Sequence, residues 1–365
     1  LSSRKYKIVR HISSGGFGNT YEGIHVMMGT RVAIKEFFVK DFCNRDEGSY
    51  TVSVSNASKK ELLNKLRKKF IEEATSLFSM KHPNIVKVHD VFEENGTAYY
   101  VMDFIEGQSL NDIIKERGKL PESEALRYIR QVANALQYVH SLNRLHLDVK
   151  PANIMIDGNG RAILIDFGAS KHYDDESGEN TSTLMGVNTK GYAPIEQTTM
   201  SFTSFSPATD IYALGATLYK LLTSITPPDA QLLIAEEENI KELPNSISQS
   251  TCKAIAAAMS LKRKDRPQSI KDFLALLDSM NTNDSESTVI ESNVVGNKKE
   301  KNEKPEIGKR KSKRFYVIGG AIALLLLSII FIPDWNHSTK GIDLIDYVDT
   351  VEVDESIWYD TNSNT

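Results

Sequence analysis

Three short runs gather the side chains best able to do chemistry. His146-Leu147-Asp148-Val149-Lys150-Pro151-Ala152-Asn153 puts a carboxylate, an ammonium and an amide in one stretch, and Asp166-Phe167-Gly168 soon adds a second carboxylate. The third run, Ser13-Ser14-Gly15-Gly16-Phe17-Gly18-Asn19-Thr20-Tyr21, is rich in glycine. Glycines let backbone N–H groups approach a phosphate closely, although a Gly-rich hairpin tip is by itself more often just a turn. Lys35 follows in Val32-Ala33-Ile34-Lys35. A lysine in an apolar strand ordinarily turns to solvent; beside the Gly-rich turn it reads as an ammonium that holds phosphate. Such an ammonium needs a carboxylate to orient it, and Glu72 and Glu73 both lie downstream on helical periodicity. In isolation either would be a solvated helix-face acid.

The elements that must position these groups follow from periodicity. Tyr6–Ile12, Thr20–His25 and Arg31–Phe37 read as strands, as do the stretches around Ile85–Phe92 and Ala98–Phe104. Leu62, Leu63, Leu66, Phe70 and Leu77 mark a helix over Lys59–Met80. Beyond Ser109 helices dominate, at 122–142, 207–224, 247–260 and 269–280. A small β-rich part followed by a larger helical part predicts two lobes in an α+β chain. Segment 41–60 is polar and Ser-rich and reads as an inserted loop, its low hydrophobicity favouring mobility.

With the catalytic-type run and Asp166-Phe167-Gly168 in view, the sequence resembles the eukaryotic-like serine/threonine protein kinases, over roughly residues 6–278. The motifs stand in order: the Gly-rich loop, Val32-Ala33-Ile34-Lys35, a helix glutamate, His146 to Asn153, Asp166-Phe167-Gly168, Gly191-Tyr192-Ala193-Pro194-Ile195-Glu196-Gln197 and Asp210. The resemblance implies a bilobal protein kinase fold, with ATP and Mg²⁺ as cofactors and Ser/Thr hydroxyls of proteins as substrates. It assigns Asp148 to the substrate hydroxyl proton, Lys150 to the transferring phosphoryl group, and Asn153 and Asp166 to the metal. Lys35 would hold the α- and β-phosphates with Glu73 as its partner, preferred over Glu72 by its spacing to His82-Pro83-Asn84. Two carboxylates, an amide and two lysines suit phosphoryl transfer, which needs positioning and charge neutralisation more than covalent chemistry. ATP-binding residues by similarity are Ser13, Ser14, Gly15, Gly16, Phe17, Gly18, Thr20, Ala33, Lys35, Met102, Asp103, Ile105 and Met155. Met102 would be the gatekeeper, and Asp103 to Ile105 the hinge. Composition alone would make Met102 and Met155 plain core packing. Glu196 would pair with Arg266, Thr189 would bond near Asp148 and Lys150, and Asp210 would anchor the catalytic loop.

Departures from the pattern carry information. Ser13 replaces a glycine, Thr20 a valine, and Leu147 the arginine that pairs with a phosphorylated activation loop. Without that cation there is no such charge pairing, so activity is expected not to need phosphate on Thr181, Ser182 or Thr183. Two other readings are a pseudokinase scaffold, which binds without transfer, and a kinase of small molecules. The complete residue set opposes the first. Thr189 and the Glu196–Arg266 pair favour protein substrates over the second.

Composition frames the rest. The 365 residues are 40% hydrophobic and 25% charged, with net charge −4, which argues against nucleic-acid binding. Two cysteines without a CxxC pair argue against a disulfide scaffold or zinc site and for a reducing compartment. Residues 1–280 read as the kinase domain and 281–314 as a flexible basic linker. Residues 315–332, FYVIGGAIALLLLSIIFI, are uncharged and read as a transmembrane helix, at ~1.5 Å per residue just long enough to cross a hydrocarbon core. A buried helix is the alternative. Lys309-Arg310-Lys311-Ser312-Lys313-Arg314 precedes it, and the tail 333–365 carries one basic and eight acidic residues. Positive residues stay inside, so the expectation is a single-pass bacterial membrane protein with a cytoplasmic kinase domain and an acidic outer tail. Membrane lipid and protein substrates are then the expected partners, nucleic acid is not, and pairing into a homodimer is left open.

Overall fold

The computed structural model describes residues 1–279 apart from 17, 46–47, 49, 55–56, 169, 173–188, 199–204 and 236–238. Phe17, the trio Thr181, Ser182 and Thr183, and the predicted linker, membrane helix and tail of 281–365 lie outside the described residues. Among the described residues, no helix is long and apolar enough to cross a membrane.

The N-terminal lobe is built on β1 (Tyr6–Ser14), β2 (Gly18–His25) and β3 (Arg31–Phe37). A small hairpin follows, β4 (Cys43–Arg45) and β5 (Val52–Val54), then helix α1 (Lys60–Ser79) and strands β6 (Val88–Glu94) and β7 (Thr97–Asp103). The main sheet is antiparallel, in the order β1-β2-β3-β7-β6. Leu63, Phe70, Ala74 and Leu77 form the buried stripe of α1, three to seven residues apart on one face. Phe70 meets the rings of Phe37 and Tyr100, at centroid distances of 5.7 and 5.0 Å. On the other face of the sheet, Tyr6, Val32, Ile34, Tyr99 and Val101 make a smaller core of their own.

The C-terminal lobe starts with β8 (Gly107–Ser109), α2 (Leu110–Arg117) and α3 (Glu122–Ser141). Short strands β9 (Arg144–Leu145), β10 (Ile154–Asp157), β11 (Ala162–Leu164) and β12 (Lys171–His172) frame the chemistry-bearing runs. Helices α4 (Ile195–Thr198), α5 (Pro207–Thr223), α6 (Ala230–Ile234), α7 (Gln249–Ala258) and α8 (Ile270–Asp278) complete it. α5 is buried nearly all round, as its apolar sequence demands, and packs against α3, α7 and α8. At its start Ser206 N–H donates to Thr209 Oγ1 at 3.3 Å, and Pro207 sits at the first helical position, where its missing N–H costs nothing.

Two expectations need correction. The polar segment 41–60 does not read as a mobile loop in its described residues: β4 and β5 pair there. Cys43 and Val52 join the main core, Val52 N–H donates to the Asn95 carbonyl at 2.8 Å, and Arg45 pairs with Glu36. A few well-placed anchors outweigh low average hydrophobicity. The strand expected from Ile85 begins only at Val88, while Ile85 makes an isolated bridge to Leu164.

Candidate active site

Asp210, in the first turn of α5, is wholly buried. It accepts the backbone N–H of His146 at 2.9 Å and of Leu147 at 2.8 Å, and meets His140 Nε2 at 2.7 Å. Burial alone would raise its pKa, but His140, His146 and the backbone hydrogen bond outweigh that and hold it below the usual carboxylate range. Leu147 sits at φ 64°, a left-handed conformation that costs a β-carbon-bearing residue about 1–2 kcal/mol. The two amide bonds to Asp210 offset that cost and turn the next residue, Asp148, into the cleft.

His146 links this loop to the second run. Asp148 N–H donates to His146 Nδ1 at 3.2 Å, so Nε2 carries the ring proton and donates to the Ile165 carbonyl at 3.3 Å. Burial lowers the imidazole pKa, which keeps the ring neutral. Its ring lies 4.5 Å from that of Phe167. Asp166 therefore follows a carbonyl and precedes a ring that are both held by His146.

Three side chains converge on Asp148. Its Oδ1 accepts from Thr189 Oγ1 at 2.8 Å, and its Oδ2 accepts from Asn153 Nδ2 at 2.8 Å and pairs with Lys150 Nζ at 2.9 Å. Lys150 also donates to Thr189 Oγ1 at 2.9 Å. Asn153 Nδ2 further donates to the Asp148 carbonyl, so its amide carbonyl is the atom left for a cation.

Lys35 Nζ lies 2.5 Å from Asp166 Oδ1. Burial pulls the ammonium pKa down, but Asp166, Tyr100 and Glu73 raise it well above the ordinary range. Burial likewise works against ionised Asp166, yet Lys35 and the Gly168 N–H bring its pKa down to about 2. Glu73 is the odd member. Desolvation, against the pull of Lys35, lifts its carboxyl to about 7, and Oε1 has no hydrogen-bond partner. A carboxylate and an amide carbonyl are hard oxygen donors of the kind Mg²⁺ takes, usually with phosphate and water completing its shell. The unsatisfied Glu73 oxygen beside the Lys35–Asp166 pair fits a site whose lysine changes partner when a metal takes Asp166. Among the described residues, no three His, Cys, Asp or Glu side chains gather as a metal site by themselves.

The nucleotide residues expected from sequence frame this centre. Ser13 and Ser14 pair with Thr20 and Asn19 across the hairpin, and Gly15 N–H donates to the Gly18 carbonyl at 2.8 Å, with Gly16 between. A β-carbon on Gly18 would stand 2.1 Å from the Glu36 carbonyl, so β2 and β3 approach here as only glycine allows. Thr20 lies opposite Lys35, and Ala33 opposite Met102. Met102 is buried, and Asp103 meets His89 Nε2 at 2.5 Å. Ile105 is half-buried beyond it, and Met155 pairs with Ser109 in the other lobe.

Further down, Arg266 grips Glu196 through two hydrogen bonds, at 2.6 and 3.1 Å, both side chains buried. Gly191 takes φ 80°, its N–H held by Asp229, and a β-carbon would lie 2.3 Å from the Pro227 carbonyl. Sequence reasoning gave no role to His140, Asp229 or the proton-bearing nitrogen of His146. Their partners lie far off in the chain, and only the His-x-Asp spacing hinted at the last.

The protein kinase domain model matches residues 6–289. A probable serine/threonine-protein kinase of Clostridium perfringens is 29% identical, over 77% of this chain and 39% of its own length. PrkC of Bacillus subtilis, a serine/threonine-protein kinase, is 30% identical over 75% of this chain and 40% of its own. PknA of Mycobacterium tuberculosis is 32% identical over 66% and 52%. The chain thus spans about half or less of the length of these relatives. A solved structure described as the PpkA-294 apo form superposes with a TM-score of 0.65, 29% identical, covering 75% of this chain and 96% of that one. With its β-rich and helical lobes and the ordered run of polar groups between them, the chain belongs to the protein kinase domain family.

Proposed function

We propose that the protein is a Mg²⁺- and ATP-dependent serine/threonine protein kinase, acting on protein hydroxyls and on itself. The observation that carries this is the hydrogen-bonded cluster of Asp148, Lys150, Asn153 and Thr189, centred on a loop that Asp210 pins and His146 ties to the segment bearing Asp166, itself paired with Lys35. Asp148 would accept the proton of the attacking hydroxyl, and Lys150, tethered to Thr189, would stay beside the phosphoryl oxygens. Asp166 and the Asn153 carbonyl would hold Mg²⁺, which when bound neutralises charge on the β- and γ-phosphates. Lys35, released from Asp166, would turn to the α- and β-phosphates with Glu73 behind it. A binding-only scaffold gains nothing from this complete, mutually oriented set.

Uncharged 315–332, flanked by the basic run 309–314 and an acidic tail, supports anchoring by a single span with the kinase domain in the cytoplasm.

The test incubates the full chain with labelled ATP, Mg²⁺ and a basic protein, beside Asp148→Asn. Phosphoserine or phosphothreonine in the wild type and none in the variant is the expected result. ATP binding without transfer in either protein would return the scaffold reading. Recovery of the full chain in the membrane fraction, lost on deleting 315–332, checks the anchor.

A further inference from the structure

The sheet face turned away from Lys35 carries a polar hub that phosphoryl transfer does not use. Successive strand residues point to opposite faces, so Glu36 stands behind Lys35, and it is 1% exposed. Its Oε1 accepts from Tyr99 Oη at 2.7 Å and pairs with Arg45 of the β4–β5 insert. Its Oε2 accepts from Tyr21 Oη at 2.9 Å and from Asn19 Nδ2 at 3.2 Å. Asn19 Oδ1 accepts from Ser14 Oγ at 2.7 Å, and Ser14 Oγ meets His11 Nε2 at 2.9 Å. One string of hydrogen bonds therefore runs from the insert, through Glu36, into both strands that carry the Gly-rich turn.

A buried carboxylate persists only with its countercharge and hydrogen bonds in place. Arg45 supplies that charge from outside the main sheet, its guanidinium also lying 5.5 Å from the Phe38 ring. Asn19 is the register partner of Glu36, as Thr20 is of Lys35. Displacing the hub therefore moves β2 where it meets the nucleotide, and charge-assisted networks of this kind couple their members strongly.

We propose that Arg45, delivered by the insert, is a positioning residue for the Gly-rich turn and thereby for the nucleotide phosphates. The inference rests on the kinase reading above, and it makes the insert a handle on nucleotide affinity.

The test compares the full-length wild type with Arg45→Met, Arg45→Lys, Asn19→Ala and the double variant Arg45→Met/Glu36→Gln. The readouts are affinity for a fluorescent ATP analogue, KM for ATP, kcat, and melting temperature. Arg45→Met is expected to weaken nucleotide binding and raise KM for ATP about tenfold, the scale of one charge-assisted contact, with kcat held within about twofold. Arg45→Lys should fall between, and the double variant should recover part of the loss because no buried charge is stranded. Asn19→Ala cuts the string without touching the buried pair, so it should weaken nucleotide binding at unchanged melting temperature, and it decides the matter if Arg45→Met does not fold. Wild-type nucleotide affinity in Asn19→Ala, and in Arg45→Met if that variant folds, would overturn the proposal and leave the kinase reading intact. Variants that show these shifts in binding, beside a wild type that binds nucleotide but transfers no phosphate, would fail the kinase reading alone. A wild type that binds no nucleotide would end both.

Discussion

Lys35 Nζ pairs with Asp166 Oδ1 at 2.5 Å, across the cleft, and not with Glu73 on the neighbouring helix. Glu73 is left buried with its carboxyl pKa at about 7, above the ordinary 4.5. Between those values the folded ligand-free protein binds more protons than the unfolded chain. The stability this group contributes is thus fully present below about 4.5 and lost as pH rises through about 7. Nucleotide binding that hands Lys35 to Glu73 must ionise it. Affinity for an ATP analogue should therefore fall by up to about tenfold per unit below pH 7. Titrations from pH 6 to 8 check this, and Glu73→Gln should remove the extra slope; an identical slope in that variant refutes the partner change.

Asp210→Ala removes the acceptor of two catalytic-loop amides. A misplacement of about 1 Å in a reacting group can cost about 10²-fold in rate, so kcat should drop on that scale. Hydrogen exchange at the His146 and Leu147 amides should accelerate in step. Unchanged protection with lost activity would assign Asp210 another role.

Arg266→Met strands the buried Glu196 carboxylate. Breaking such a pair costs about 3–5 kcal/mol, which denaturant unfolding measures directly. Adding Glu196→Gln should recover part of that loss, since the remaining groups are uncharged.

Leu147 offers no cation to a phosphorylated activation segment; it is buried, and Gln197 Nε2 holds its carbonyl at 2.9 Å. Replacing Thr181, Ser182 and Thr183 together by alanine should keep kcat within about tenfold, a barrier change under ~1.4 kcal/mol. A larger loss, seen in steady-state kinetics, sinks the idea.

The main strands and helices were legible because their apolar residues repeat at steps of two or of three and four, as in α1 and α3. The residues gathered around Asp148 were legible because Asp148, Lys150 and Asn153 sit within one short run. The insert was misread because its anchors, Cys43, Arg45 and Val52, are spread among serines and asparagines and make sense only against Glu36 and Asn95. The Lys35–Asp166 pair was also out of reach, since spacing names a lysine's possible partners and not the one it holds at rest. Glu36 left one trace, a second charge directly after Lys35 in β3, but its partners come from three separate segments: β2, β4 and β7.

The hold of Asp210 on the catalytic loop also sets an order of events during synthesis. His146, Asp148, Asn153 and Asp166 all leave the ribosome before α5 does. Until Asp210 arrives and α5 packs, the Leu147 turn lacks the two amide bonds that offset its left-handed backbone. A nascent or truncated chain ending short of that helix would carry every chemical group of the site and still lack its geometry. Competence therefore appears with completion of the helical core, since lobes of this kind form as units, and a half-made chain is kept from premature chemistry by its own architecture.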